Sequence, residues 1–246
     1  MSQGFGIEGA VALVTGANRG LGAAFVRGLL DAGAARVYAA ARSPETITID
    51  DARVTPVRLD VKDAASIAAA AEDCGDVTLL VNNAGVAYGA RLLGAASTDA
   101  AREEMEVNYF GTLNVVRAFA PVLAGNGGGA VVNVLSIASR VNLPTIGSYS
   151  ASKAASLSMT QGIRAELAGQ GTHVLAVMPG FIDTDMAAGV AQPKIAPAEA
   201  VAATLRALAA GEEEVYPGEQ AAVIAAALAS DPKGLERQLA ALLQPA

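Results

Sequence analysis

Val11-Ala12-Leu13-Val14-Thr15-Gly16-Ala17-Asn18-Arg19-Gly20-Leu21-Gly22 is the stretch on which the reading of this chain turns. Val11 to Val14 is short and wholly apolar, the composition of a strand buried on both faces of a parallel sheet. Beyond the glycines, Leu21, Phe25, Leu29 and Leu30 recur at helical spacing. Gly16, Gly20 and Gly22 therefore lie in a strand-to-helix turn. There a missing side chain lets backbone approach a pyrophosphate at a helix N-terminus. Strand, glycine turn and helix in that order point to dinucleotide binding rather than to a turn without a ligand. The spacing is G-x-x-x-G-x-G, not G-x-G-x-x-G.

Further strand-like runs occur at 36–41, 54–59, 77–82, 130–135 and 172–178, with a short one at Glu214-Val215-Tyr216. Ala-rich segments of helical period separate them. Such βαβ alternation predicts an α/β fold, a doubly wound parallel sheet with helices on both faces. With 246 residues and no repeat or low-complexity linker, the chain reads as one domain over 1–246. Gly125 to Gly129 reads as a helix-to-strand turn. After Pro179 a loop leads to a helix near 197–210, and C-terminal helices finish the chain.

Hydrophobic residues make up 52% and charged residues 17%, which describes a core-rich globular chain. Apolar runs such as 221–229 fall short of the ~20 residues a membrane span needs. The start, Met1-Ser2-Gln3-Gly4-Phe5-Gly6, has neither a basic nor an apolar stretch, so no secretion signal is expected. A net charge of −7 without a basic stripe argues against nucleic acid as a partner. Cys74, the single cysteine, fits a reducing cytoplasm. One Cys and one His make no zinc set, so no metal is expected. That histidine, His173, begins a strand away from every motif, which excludes a Ser-His-Asp hydrolase.

Tyr149-Ser150-Ala151-Ser152-Lys153 puts a phenol and an ammonium four residues apart, on one face of a helix. The cation is expected to lower the phenol pKa from about 10 toward working pH. A phenol so tuned gives or takes a proton near neutrality, as carbonyl reduction or alcohol oxidation requires. Other separated signals accompany the pair: Asp60-Val61 after the third strand, Asn82-Asn83-Ala84-Gly85 after the fourth, and Asn108 on a later helix. Ser136 stands thirteen residues before Tyr149, and Pro179-Gly180 is followed by Ile182 and Thr184.

In order and spacing these motifs resemble the short-chain dehydrogenase/reductase family, over roughly residues 8 to 186. The resemblance implies a Rossmann-type fold and a cofactor site built from Gly16, Asn18, Arg19, Gly20, Leu21, Gly22, Arg42, Asp60, Val61, Asn82, Ala84, Gly85, Pro179, Gly180, Ile182 and Thr184, together with Tyr149 and Lys153. It implies a catalytic set of Asn108, Ser136, Tyr149 and Lys153. In the family's mechanism a nicotinamide hydride goes to a carbonyl carbon while Tyr149 protonates the oxygen. Ser136 stabilises that oxygen, with Ser139 a nearby competitor for the role. Lys153 holds the nicotinamide ribose and depresses the Tyr149 pKa, and Asn108 holds a water that relays protons through Lys153.

Cofactor choice turns on charge at the end of the second strand, where an acidic residue holds the ribose 2′-hydroxyl of NAD. Here that position is Ala41, followed by Arg42, and Arg19 sits inside the glycine turn. Two cations and no carboxylate favour NADP(H) over NAD. The expected activity is an NADP(H)-dependent interconversion of carbonyl and alcohol. The alternatives are a halohydrin-dehalogenase-like lyase, against which Lys153 and the glycine turn speak, and a non-catalytic NADP-binding regulatory protein, which would usually lose Tyr149 or Lys153.

Val86, Tyr88, Val141, Leu143, Ile146, Phe181, Met186 and Val190 are the residues expected near the substrate. They predict uncharged, largely apolar ketones, aldehydes or alcohols, with Arg91 and Arg140 as the cations able to change that. Ala151, Ala154, Ala155 and Leu157 spread apolar surface beyond one core-facing stripe. By resemblance this helix and that of Asn108 pair with their mates in a homodimer. The C-terminus departs from the family's Val-Asp-Gly-Gly-like ending, which puts a homotetramer in doubt.

Overall fold

The computed structural model describes residues 4–243; Met1, Ser2 and Gln3, from the N-terminal stretch read above, and residues 244–246 lie outside them. The strands are β1 (Val11–Thr15), β2 (Arg36–Ala41), β3 (Val54–Arg58), β4 (Leu79–Asn82), β5 (Ala130–Val134), β6 (His173–Val177) and β7 (Glu214–Val215). They form one parallel sheet in the order β3-β2-β1-β4-β5-β6-β7. The helices are α1 (Gly20–Asp31), α2 (Ala64–Asp73), α3 (Asp99–Met105), α4 (Thr112–Gly125), α5 (Gly147–Leu167), α6 (Pro197–Ala210), α7 (Glu219–Ser230) and α8 (Pro232–Ala240).

Side chains alternate across each strand, and both faces of this sheet are covered, which is why the strands read as unbroken apolar runs. Ala12, Val14, Val37 and Ala39 point to one face, against Phe25 and Leu29 of α1 and Val201 and Leu208 of α6. Leu13, Tyr38 and Ala40 point to the other, against Ile67 of α2, Phe119 of α4 and Ile163 of α5. Phe25 and Phe119 are fully buried, each worth roughly 1.5–3 kcal/mol relative to exposure. This is the doubly wound Rossmann-type architecture expected from the sequence.

Strand ends differ from expectation by a residue or two, for local reasons. β4 starts at Leu79 because Val77 N–H donates back to the Cys74 carbonyl, closing a turn. Gly129, at φ +68°, ends the turn before β5, and a Cβ there would lie 2.1 Å from the Thr78 carbonyl oxygen. Between α3 and α4 the helix runs on through a π-helical segment, Glu106–Gly111, that contains Asn108. Such widened turns often mark functional sites. At the C-terminus, α7 and α8 lead into a 3₁₀ turn, Ala241–Leu243, that packs on Pro144–Ile146 just ahead of α5. Among the described residues no helix is long and apolar enough to cross a membrane.

Candidate active site

The strand order reverses between β1 and β4, and open α/β sheets bind ligands at the carboxyl ends of such neighbours. Here those ends are tied together. Thr15 Oγ1 accepts from Asn83 N–H and Ala84 N–H, both at 3.0 Å. Asn83 Nδ2 donates to the carbonyls of Thr15 at 2.9 Å and Gly16 at 3.2 Å. Gly16 and Gly20 adopt φ of +65° and +53°, which L side chains rarely adopt. A Cβ on Gly22 would lie 2.1 Å from the Gly16 oxygen, so only glycine lets α1 start this close to β1. Leu21 is half-buried behind that turn. No side chain caps α1, which leaves its first amides open toward an anion. The cradle fits a dinucleotide pyrophosphate.

Around it lie the other residues expected at the cofactor. Asn18 and Arg19 are exposed on the rim. Arg19 pairs with Asp185 at 3.2 Å, with side chains 74% and 78% exposed, a weak contact readily exchanged for another anion. Thr184 packs against Gly20, and Ile182 bridges to Ile195. Pro179 accepts Ile137 N–H at 2.9 Å, and Gly180 packs against Gln220. Asp60 Oδ1 accepts Lys62 N–H at 3.0 Å, while Val61 touches Gly111. Ala41 is buried and Arg42 exposed. The β2–β3 register adds an exposed cation the sequence did not single out, Arg58, directly opposite Ala41. Register is not visible in one sequence.

Tyr149 and Lys153 sit at the start of α5, beside the end of β5. Ser136 caps the turn after β5, its Oγ accepting Ala138 N–H at 3.1 Å. Ser139, the competitor, is buried with its hydroxyl unpartnered, whereas Ser136 is close enough to Tyr149 to act on its phenol. Lys153 Nζ donates to the Val134 carbonyl at 2.9 Å and lies 5.8 Å from the Tyr149 ring centre. Asn108 is almost wholly buried and fully engaged. Its Oδ1 accepts Val86 N–H at 2.9 Å, and its Nδ2 donates to the Val86 carbonyl and to Ser152 Oγ. Its own carbonyl accepts from the hydroxyls of Thr112 and Ser156. Asn82 Nδ2 donates to Asn133 Oδ1 at 2.9 Å, and Asn133 Nδ2 to Thr160 Oγ1 at 3.0 Å. A buried polar ladder thus joins β4 and β5 to α5. Sequence reasoning missed Glu104, fully buried one turn before Asn108, and Gln220, whose Oε1 accepts Phe181 N–H at 3.3 Å. Neither carries a motif; only their burial and contacts single them out.

One expectation is corrected. Lys153 does not lower the Tyr149 pKa in this state. Burial, with the negative charge of Glu104 adding, pushes the phenol up to about 12, against a hydrogen bond to Ser136. Burial also pushes Lys153 down to about 8. The reason is geometric: the ammonium donates to the Val134 carbonyl and lies over the Tyr149 ring, 5.8 Å from its centre, while burial acts on both groups. Among the described residues no group of three or more His, Cys, Asp or Glu is placed to hold a metal.

The sequence profile of the family described as short chain dehydrogenase matches residues 10–194. Galactitol 2-dehydrogenase (L-tagatose-forming) of Cereibacter sphaeroides is 38% identical over 193 residues, 74% of this chain and 75% of that protein. A short chain dehydrogenase from Burkholderia cenocepacia J2315 in complex with NADP superposes with a TM-score of 0.93 at 51% identity, covering 100% of both chains. A short chain dehydrogenase/reductase from Burkholderia phymatum in complex with NAD gives 0.81 at 27% identity, over 95% of this chain and 96% of that one.

The buried ammonium has a measurable consequence. Lys153 is 5% exposed, and its pKa falls from 10.5 in the unfolded chain to about 8 in the folded protein. Below pH 8 the folded state therefore carries a buried cation at a cost. That cost fades as pH rises from 8 to 10.5, because the folded protein sheds its proton first. Against a Lys153→Met variant, wild-type stability should gain about 3 kcal/mol between pH 7 and 10.5. Urea midpoints of both cofactor-free proteins at the two pH values measure it. A difference that does not change with pH would show that the ammonium stays solvated.

Proposed function

The chain belongs to the short-chain dehydrogenases, oxidoreductases of alcohol and carbonyl groups, and from that premise we propose an NADP(H)-dependent carbonyl reductase or alcohol dehydrogenase with Tyr149 as general acid and base. The observation that carries this reading is the convergence of Tyr149, Ser136 and Lys153 at the end of β5, next to the glycine cradle. In reduction Tyr149 gives its phenolic proton to the carbonyl oxygen, and Ser136 steadies that oxygen by a hydrogen bond. When bound, the cofactor supplies the hydride for the carbonyl carbon. Lys153 holds the nicotinamide ribose, and Asn108 fixes the chain between the cradle and α5. Burial keeps Tyr149 protonated at neutral pH, which suits the acid role and makes oxidation the direction favoured by high pH.

Arg19 and Arg42, with no carboxylate at Ala41, support NADP(H), and the 51%-identical relative in complex with NADP agrees. The apolar residues expected at the substrate are all partly open to solvent, Tyr88 and Met186 at 55% and 57%. Arg140 is held by Glu214 at 2.9 Å and Tyr216 at 2.6 Å, which leaves Arg91 as the cation free to meet an acid. The apolar side chains favour an uncharged carbonyl substrate, since a carboxylate buried among them out of reach of Arg91 would be costly. Ala151, Ala154 and Phe110 are exposed on helices α5 and α3–α4, a surface suited to an isologous homodimer. The one thiol, Cys74, is free and buried, in keeping with a cytoplasmic setting.

Tyr149→Phe keeps the ring and removes the proton donor. Its kcat/KM with NADPH and a ketone should fall at least about 10²-fold, with NADPH affinity little changed; near-normal turnover would sink the mechanism. Wild type should prefer NADPH over NADH by about 10- to 100-fold in kcat/KM, the worth of one charge-assisted contact. Ala41→Asp with Arg42→Ala should reverse that order, and equal use of both cofactors by wild type would refute the assignment. Between a keto acid and its ester, the ester should be the better substrate. A tenfold preference for the free acid overturns the uncharged pocket.

A further inference from the structure

Glu104 is 0% exposed, yet it belongs to no motif and has no cationic partner. It lies on α3, one helical turn before Asn108 and so on the same face. Its Oε1 accepts Tyr88 N–H at 2.7 Å, a short charge-assisted bond. Asn108 takes both the N–H and the carbonyl of Val86, at 2.9 and 3.0 Å. Residues two apart in an extended chain rise about 6.6 Å, and residues four apart in a helix about 6 Å. The matching repeats let Glu104 and Asn108 grip Tyr88 and Val86 as two rungs of one clip. The segment they hold runs from the Asn-Asn-Ala-Gly turn into the loop that passes over α5, where Ser148 N–H reaches the Ala90 carbonyl.

The geometry points to Glu104 as a positioning residue that, with Asn108, fixes the loop 86–94 over the start of α5, where Tyr149 sits. The hold on the loop does not depend on the proposed acid–base role of Tyr149; its effect on turnover does. Packing alone does not account for a carboxylate here, because Oε2 is buried with no hydrogen-bond partner. Glutamine would serve Tyr88 N–H equally and bring no charge.

Other charges around this corner are committed or turned outward. On α3 and its π-helical extension, Glu103 pairs with Lys62, Asp99 bonds Ser97, and Arg102 and Glu106 are exposed. In the loop, Tyr88 and Arg91 are exposed. Arg140 is held by Glu214, and Lys153 rests on Val134. Among the acidic residues of this corner, Glu104 is the one that is fully buried.

Two variants separate its roles. Glu104→Gln keeps the acceptor and removes the charge; Glu104→Ala removes both, with Glu104→Met to replace it should the alanine variant not fold. In the cofactor-free proteins, hydrogen exchange at the Tyr88 amide should be unchanged in Glu104→Gln. It should be at least about tenfold faster in Glu104→Ala or Glu104→Met, the worth of one bond to a charged acceptor. Unaltered exchange in those variants overturns the clip. With NADPH and a ketone, kcat/KM should fall at least about tenfold in Glu104→Ala or Glu104→Met and be restored in Glu104→Gln. Equal rates in all the variants overturn the positioning role. If wild type reduces no carbonyl with either cofactor, the proposed activity falls, while the exchange data still decide the clip.

Discussion

The tie between Thr15 and Asn83 is the contact on which the rest of this site depends. Together with Gly16 and Ala84 beside them, these residues join the carboxyl ends of β1 and β4, where the sheet changes direction of winding, through four hydrogen bonds of 2.9–3.2 Å. Without it the glycine turn has no fixed back wall, since Asn83 Nδ2 is also what a Cβ on Gly16 or Gly22 would meet. The same asparagine starts the segment that Asn108 and Glu104 then hold along α3. The wall of the glycine cradle and the loop 86–94 are thus two ends of one short stretch of chain, anchored at a single strand end.

From that anchor the order passes inward through polar contacts rather than apolar ones. Asn82 reaches Asn133, Asn133 reaches Thr160, and Ser156 and Ser152 connect α5 back to Asn108. These groups are buried, so each bond is made in low dielectric, and leaving one unmade is expensive. A ladder of this kind fixes the rotation of α5 about its own axis. That rotation is what points Tyr149 and Lys153 toward the end of β5. Apolar packing by Leu157, Met159 and Ile163 holds the helix down but tolerates sliding far better than paired amides do.

Much of this was readable from residues alone. Continuous apolar strands and glycine spacing gave the sheet and the cradle, because those patterns answer to local sterics and to burial on both faces. The i, i+4 phenol and ammonium implied one helix, and both residues lie at the start of α5. What the sequence hid lies in register and in three dimensions. Arg58 comes opposite Ala41 only through β2–β3 pairing, and Gln220 arrives from a C-terminal helix more than 30 residues beyond Gly180. Glu104 reads as one acid among Glu103, Glu104 and Glu106 until burial separates it from its exposed or paired neighbours. The state of Tyr149 was misjudged for a related reason: spacing gives proximity to Lys153, but desolvation, which acts on both groups, is set by everything packed around them.

The unpartnered buried side-chain atoms among the described residues are Asn82 Oδ1, Glu104 Oε2 and Ser139 Oγ. They belong to the end of β4, to the clip on the loop and to the turn that follows Ser136. None lies in the apolar layers between sheet and helices, where Phe25 and Phe119 pack. Each such atom costs about 1–3 kcal/mol, and the buried ammonium of Lys153 adds to the sum. A chain selected for stability alone would scatter or remove these defects. Asn82 and Ser139 lie at the carboxyl ends of the central strands and Glu104 on the helix beside them, around the proposed site: polar groups held rigid and dry before a ligand arrives need little reorganisation when charge develops. The exposed Arg19–Asp185 pair on the rim follows the opposite logic, since a solvated ion pair is weak enough to give way to an incoming phosphate.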